Sequence, residues 1–255
     1  MNKLYVVGIG PGSAKDMTLR AAEALKNAQV IVGYQVYNDL VRPLFPDKEY
    51  LQTPMRQETE RCRMAIDCAL SGKVTAVICS GDAGVYGMAS LVLELSEGAE
   101  NLSVEIVPGV TAALSGGALL GAPLGHDFAV LSLSDALTPW ETIEKRLRLS
   151  AQAGLCISIY NPASRRRSDY LRRACDILLE YLPPETACGI AANIGRENET
   201  AGTMTLAELR NYPADMFTTV FVGTGNTRIL GSRLVTPRGY RAVNSADSGG
   251  ENKDE

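Results

Sequence analysis

The sequence predicts an α/β protein made of two α/β domains, and three observations carry that prediction. Short continuous apolar runs recur between segments of helical periodicity, which is the pattern of a mostly parallel sheet covered on both faces. The runs end in glycine-rich turns, and the helical segments carry start and stop signals. At 255 residues the chain has room for two domains of moderate size, each with its own core.

Leu4-Tyr5-Val6-Val7 opens the pattern as a strand over 4–8, followed by the turn Gly8-Ile9-Gly10-Pro11-Gly12. That turn lacks the dinucleotide-binding fingerprint. Ser13 stands where the third glycine belongs, and Tyr34 and Gln35 stand where an acidic residue should follow the second strand. Thr18 caps a helix over 18–28, which starts too late to cradle a phosphate at the turn. A strand over 29–33, a helix over 57–71 closed by Gly72, a strand over 74–79, a helix near 86–96 and a strand over 104–107 complete a first domain, 1–115. The small-residue stretch 114–125 reads as a helix running into a domain junction. A second α/β set fills 116–240, with strands over 128–133, 155–160, 187–193 and 217–223 and helices over 139–150 and 165–181. Pro183-Pro184 stops the last helix, and the polar, acidic stretch 241–255 reads as a disordered tail.

Bulk properties narrow the function. A net charge of −4 with dispersed Lys and Arg gives no electrostatic footprint for nucleic acid. The six cysteines include no C-x-x-C pair, so reduced, buried thiols are expected rather than disulfides or a metal site. No signal-peptide pattern precedes the first strand and no apolar stretch has membrane-spanning length, so a soluble, cytoplasmic protein is expected.

In open parallel sheets, ligands bind beyond the carboxyl ends of the strands. Three turns stand there: Gly10-Pro11-Gly12, Ser80-Gly81-Asp82-Ala83-Gly84-Val85-Tyr86-Gly87 and Pro108-Gly109-Val110-Thr111-Ala112. Their glycines let a ligand approach the main chain closely. Asp82 has two readings: an acceptor for a ribose or an ammonium group, or the N-cap of the helix that follows.

Taken in order, these three turns with Thr18 resemble the S-adenosylmethionine-dependent tetrapyrrole methylases, over about residues 3–230. Further segments narrow the resemblance to the branch that methylates carbon 17 of precorrin-3B or cobalt-factor III and contracts the ring during cobalamin synthesis. They are Gly125-His126-Asp127-Phe128, Leu131 through Glu141, Tyr160 through Arg167, and Asn193-Ile194-Gly195-Arg196-Glu197. The resemblance implies two α/β domains with the cofactor in the cleft between them, and a homodimer. It places S-adenosylmethionine against Pro11, Ser80, Gly81, Asp82, Val85, Thr111 and Ala112, with Asn161 and Gly195 contributed by the second domain and Thr219 and Val220 near the adenine. It implies no metal; the cysteine cluster of some relatives is missing.

Methyl transfer from a sulfonium needs alignment and exclusion of water rather than a protein nucleophile. Ring contraction needs protons moved. His126, the only histidine, is the first acid/base candidate, with Asp127 beside it, although a lone histidine also serves structural roles. Asp127 also reads as a solvated loop charge, and Asp135 as the opening of the turn before Thr138-Pro139. A substrate rich in carboxylates calls for arginine forks, for which Arg165, Arg166, Arg167 and Arg196 are candidates. The other reading of the arginine run is a solvated helix start. Competing functions are methylation of a different ring carbon, a nicotinamide-dependent oxidoreductase, and a non-enzymatic corrinoid or nucleotide carrier.

Overall fold

The computed structural model describes residues 2–164 and 167–240. The chain forms two compact units: the first runs to Ser115 and includes Asn193–Glu199, and the second runs from Gly116 through Ala192 and resumes at Thr200.

The first unit contains β1 (Asn2–Gly8), a 3-10 turn (Ala14–Asp16), α1 (Leu19–Asn27), β2 (Val30–Tyr34), α2 (Gln35–Val41), β3 (Glu49–Thr53), α3 (Glu58–Leu70), β4 (Thr75–Cys79), α4 (Ala89–Leu95) and β5 (Leu102–Val107). Its sheet has the order β3-β2-β4-β1-β5, with every pair parallel. Alternation along the strands sends side chains to both faces. Leu4, Val6, Val30, Val32 and Val77 pack against Cys62, Ala65 and Ile66 of α3 and Val92 of α4. Val7, Ile9, Ile31, Ala76 and Ile78 pack against Ala21 and Leu25 of α1 and Val41 of α2. Burial on both faces is why these strands read as unbroken apolar runs.

α1 begins where its cap predicts, with the Thr18 hydroxyl accepting from Ala21 N at 3.1 Å. The α1 N-terminus therefore does not follow directly on the Gly8–Gly12 turn. α4 begins at Ala89, later than the sequence pattern suggested, because the turn after β4 extends through Gly87. Sequence reading passed over α2 and β3. β3 is an edge strand paired only with β2, and its partly exposed Glu-Tyr-Leu-Gln-Thr run shows no apolar stretch.

α5 (Ala112–Leu120) contains the boundary between the units. The second unit continues with β6 (Gly121–Ala122), β7 (Phe128–Ser132), α6 (Trp140–Gln152), β8 (Cys156–Tyr160), α7 (Tyr170–Leu178), β9 (Ala187–Ala192), β10 (Thr200–Thr205), α8 (Leu206–Leu209), β11 (Thr218–Val222), β12 (Arg228–Leu230) and β13 (Arg233–Val235). Its main sheet, β10-β9-β11-β8-β7, is mixed: β7 and β8 run parallel and the other pairs antiparallel. Here β9 turns back on β10, a pairing that needs no crossover helix and so leaves no helical pattern to read. β12, β13 and β6 form a small separate sheet that the sequence did not announce, since β12 is short and exposed.

The second core gathers Ile143, Leu147 and Ala151 of α6 with Leu171, Ala174, Cys175 and Leu178 of α7, both at helical spacing, over Ile157, Ile159, Ile190, Val220 and Val222. α7 begins at Tyr170 rather than near 165, because Arg167 N donates to Ser164 O and Ser164 N to Arg167 O in a turn of its own. The expected tail, 241–255, lies outside the described residues.

Leu147 is 0% exposed, whereas Leu149 two positions on is 53% exposed. In urea unfolding, Leu147→Ala is expected to lower stability by about 2–5 kcal/mol. Leu149→Ala is expected to change it by less than about 0.5 kcal/mol.

Candidate active site

Strands β4, β1 and β5 are neighbours in the sheet, so the turns at their carboxyl ends meet. Gly10 and Gly81 bond each other's main chain in both directions, at 3.1 and 2.8 Å. The Thr18 hydroxyl donates to Pro108 O at 3.2 Å. A Cβ on Gly109 would fall 2.1 Å from the Gly81 carbonyl oxygen, and one on Gly8 would fall 2.7 Å from the same atom. These two glycines are required by protein main chain rather than by an approaching ligand. Gly81, with φ +69°, is different: an added Cβ there meets nothing closer than Thr111 Cα at 3.5 Å.

Asp82 belongs to this construction. Its Oδ1 accepts from Gly84 N at 2.8 Å and Val85 N at 3.1 Å, and its Oδ2 accepts from Gly109 N at 2.9 Å. It does not cap α4, whose N-cap is Met88. An ionised carboxylate has about four acceptor positions, so Asp82 retains one for a ligand. The amides of Gly10, Gly81, Gly84, Val85 and Gly109 are all consumed internally.

Segment 193–199 comes from the second half of the chain but belongs to the first unit. A Cβ on Gly12 would lie 2.6 Å from Arg196 Cγ, and one on Gly195 would lie 2.6 Å from Ser13 N. Gly195 N donates to Glu199 Oε2 at 2.6 Å. The structure therefore gathers Pro11, Ser80, Gly81, Asp82, Val85, Thr111, Ala112, Gly195 and Arg196 in one unit.

In the second unit, Asn161 (φ +53°) follows β8 and donates to the Ser132 hydroxyl at the end of β7, at 3.0 Å. Close by in sequence, Arg167 donates to Ser134 Oγ at 2.7 Å, Asp135 Oδ1 at 3.2 Å and Ser164 Oγ at 3.2 Å. Tyr170 donates its phenol proton to Asp135 Oδ2 at 2.6 Å. That bond, with the Arg167 charge, holds the Asp135 carboxyl below its ordinary range. Arg167 is thus engaged by protein groups. With α7 starting at Tyr170, Arg167 precedes the helix, so the reading as a solvated helix start does not hold for it. Arg165 and Arg166 lie outside the described residues. The Val220 side chain belongs to the second core, and Thr219 is buried within β11.

His126 and Asp127 precede β7, at the opposite end from Ser132 and Asn161. The five residues of β7 span about 15 Å. The His126 side chain is 61% exposed, and its Nδ1 accepts from the Asp127 amide at 2.9 Å. The structure does not bring His126 to Asn161. The cysteine thiols are free, five buried and Cys68 partly so. Burial pushes Cys79 and Cys156 up to about 12, so they stay protonated and non-nucleophilic at neutral pH. Among the described residues, no three His, Cys, Asp or Glu side chains gather as a metal site.

The model of the tetrapyrrole (corrin/porphyrin) methylases matches residues 3–210. The chain belongs to this family. A probable cobalt-factor III C(17)-methyltransferase of Salmonella typhimurium is 45% identical over 93% of this chain and 99% of its own length. A precorrin-3B C(17)-methyltransferase of a Sinorhizobium species is 44% identical over 93% of this chain and 96% of its own. Two further relatives are longer, and the chain spans about half of each. The crystal structure of the methyltransferase CobJ superposes with a TM-score of 0.87 at 35% identity, covering 93% of this methylase and all of that chain. Within the methylase, Asp82 is the residue that ties two turns together. Asp82→Ala is expected to lower stability by about 1–3 kcal/mol in urea unfolding. Wild-type stability would show that the three amide bonds contribute nothing.

Proposed function

We propose that this chain is an S-adenosylmethionine-dependent methyltransferase that methylates carbon 17 of cobalt-factor III or precorrin-3B with contraction of the ring. In this reading it serves cobalamin synthesis in the cytoplasm as a homodimer. No helix among the described residues is long and apolar enough to cross a membrane.

The observation that carries the reading is the state of the turns after β1, β4 and β5. A phosphate cradle depends on free main-chain amides, and here the amides of Gly10, Gly81, Gly84, Val85 and Gly109 already bond to the protein itself. The acceptor position left on Asp82 suits a ligand bearing positive charge or hydroxyls. S-adenosylmethionine, with its sulfonium, ammonium and ribose, has that chemistry; a dinucleotide pyrophosphate does not. The residues present therefore fit this co-substrate. Pro11, Ser80, Gly81, Asp82, Val85, Thr111, Ala112, Asn161 and Gly195 are assigned to hold it.

The co-substrate supplies an electrophilic methyl group, and an electron-rich macrocycle carbon attacks it. The chain's own residues orient the two and exclude water. Arg196 is assigned to carboxylates of the macrocycle, as are Arg165 and Arg166. His126 is assigned to proton transfer during ring contraction, with Asp127 beside it, on the sequence argument that it is the only histidine; its imidazole is exposed.

In calorimetric titration, S-adenosylhomocysteine should bind at micromolar strength and NADH should not; the reverse result would end the methylase reading. Incubation with cobalt-factor III and with precorrin-3B, products identified by mass and absorbance, distinguishes the two substrates. His126→Ala is expected to spare S-adenosylhomocysteine binding and block the contracted product, and full activity would make this histidine structural. Light scattering on the purified chain reads the dimer.

A further inference from the structure

On the β2–β3 side of the first unit, the sheet end holds a buried cation without an anion. Arg61, in the first turn of α3, is only 5% exposed. Its Nη2 donates to the Pro54 carbonyl at 3.0 Å, while its Nε has no hydrogen-bond partner. Among the described residues no carboxylate lies within ion-pair distance of it. By contrast Arg167, one-fifth exposed, is paired with Asp135.

The surroundings are those of a prepared anion site. The guanidinium carbon lies 6.0 Å from the Tyr34 ring, which meets Tyr37 edge-on at 5.5 Å. Arg61 and Arg196 both act electrostatically on the Tyr37 phenol, pulling its pKa down against a burial that raises it. One more buried polar group, the Thr53 hydroxyl at the end of β3, lacks a partner and can donate to an anion. Tyr34 and Thr53 are direct neighbours in the β2–β3 register. The turn that Arg61 holds, Pro54 to Gln57, is exposed throughout and contains Arg56 at φ +69°.

A guanidinium cannot shed its proton, and a buried, uncompensated charge is costly to the folded state. That cost is offset when an anion arrives, and a desolvated fork is suited to a two-point grip on a carboxylate. We propose that Arg61 receives a peripheral carboxylate of the tetrapyrrole substrate, with Arg196 as the second cation of the same site. This rests on the functional reading above and adds a specificity residue that the arginine run at 165–167 did not suggest.

Arg61→Met and Arg61→Lys test it in the full chain. Arg61→Met is expected to raise KM for cobalt-factor III by at least about tenfold, with Arg61→Lys in between. S-adenosylhomocysteine affinity should be unchanged and Tm equal or higher, because removing an unpaired buried charge relieves the fold. KM within about twofold of wild type in folded Arg61→Met would overturn the assignment. So would a joint fall in Tm and S-adenosylhomocysteine affinity, the signature of a structural arginine. If the wild type methylates neither precursor, the substrate reading fails by itself, and absorbance titration with uroporphyrin III, an octacarboxylate, reads Arg61 directly. Weakening by about tenfold in Arg61→Met then supports the carboxylate site. Equal binding by both proteins, or no binding by the wild type, overturns it.

Discussion

The first unit depends on the crowding of three strand ends around the carbonyl oxygen of Gly81. That oxygen accepts from Gly10 N, and it leaves no room for a Cβ at Gly8 or Gly109. Asp82 draws the Gly109 amide onto the same cluster. Turns joined by main chain at such distances cannot drift independently, so the surface they offer a ligand is built before the ligand arrives. The same closure decides its chemistry. Amides that bond within the protein are withdrawn from anion binding, and a carboxylate with one remaining acceptor position favours positive charge and hydroxyl groups.

In the proposed reading, anion recognition falls to other positions. Arg196 rides on segment 193–199, which crosses back to sit on Gly12, and Arg61 waits under the Pro54–Gln57 turn. An unpaired, buried guanidinium opposes folding, and functional sites are where such costs are tolerated. In the second unit the comparable cation, Arg167, is neutralised by Asp135 and shapes the segment after β7 instead. Two arginines of similar sequence character thus differ in availability solely through their neighbours.

Much of this was legible from residues alone. The all-parallel first sheet followed from apolar runs buried on both faces, and the start of α1 from Thr18. The departure from the dinucleotide fingerprint was legible in Ser13 and in the helix that begins only at Leu19. The turns of the candidate site were also visible, because glycine clusters at strand ends stand out. Elements exposed on one side were not: β3, β10 and β12 carry polar or short runs whose pairing depends on partners distant in sequence. Asp82 was singled out for its chemistry, yet its bond to Gly109 joins positions 27 residues apart and has no local signature.

The sequence by itself determined the fold class, the family and the turns that matter, since each is written in local periodicity and short ordered motifs. Only the tertiary structure decided which groups are free. It engaged the amides of Gly10, Gly81, Gly84, Val85 and Gly109, committed Arg167 and Val220 to protein contacts, set His126 at the far end of β7 from Asn161, and left Arg61 buried without an anion among the described residues. The reason is that availability for binding depends on what a group already touches and how much water it has lost. Both are set by residues far apart in the chain.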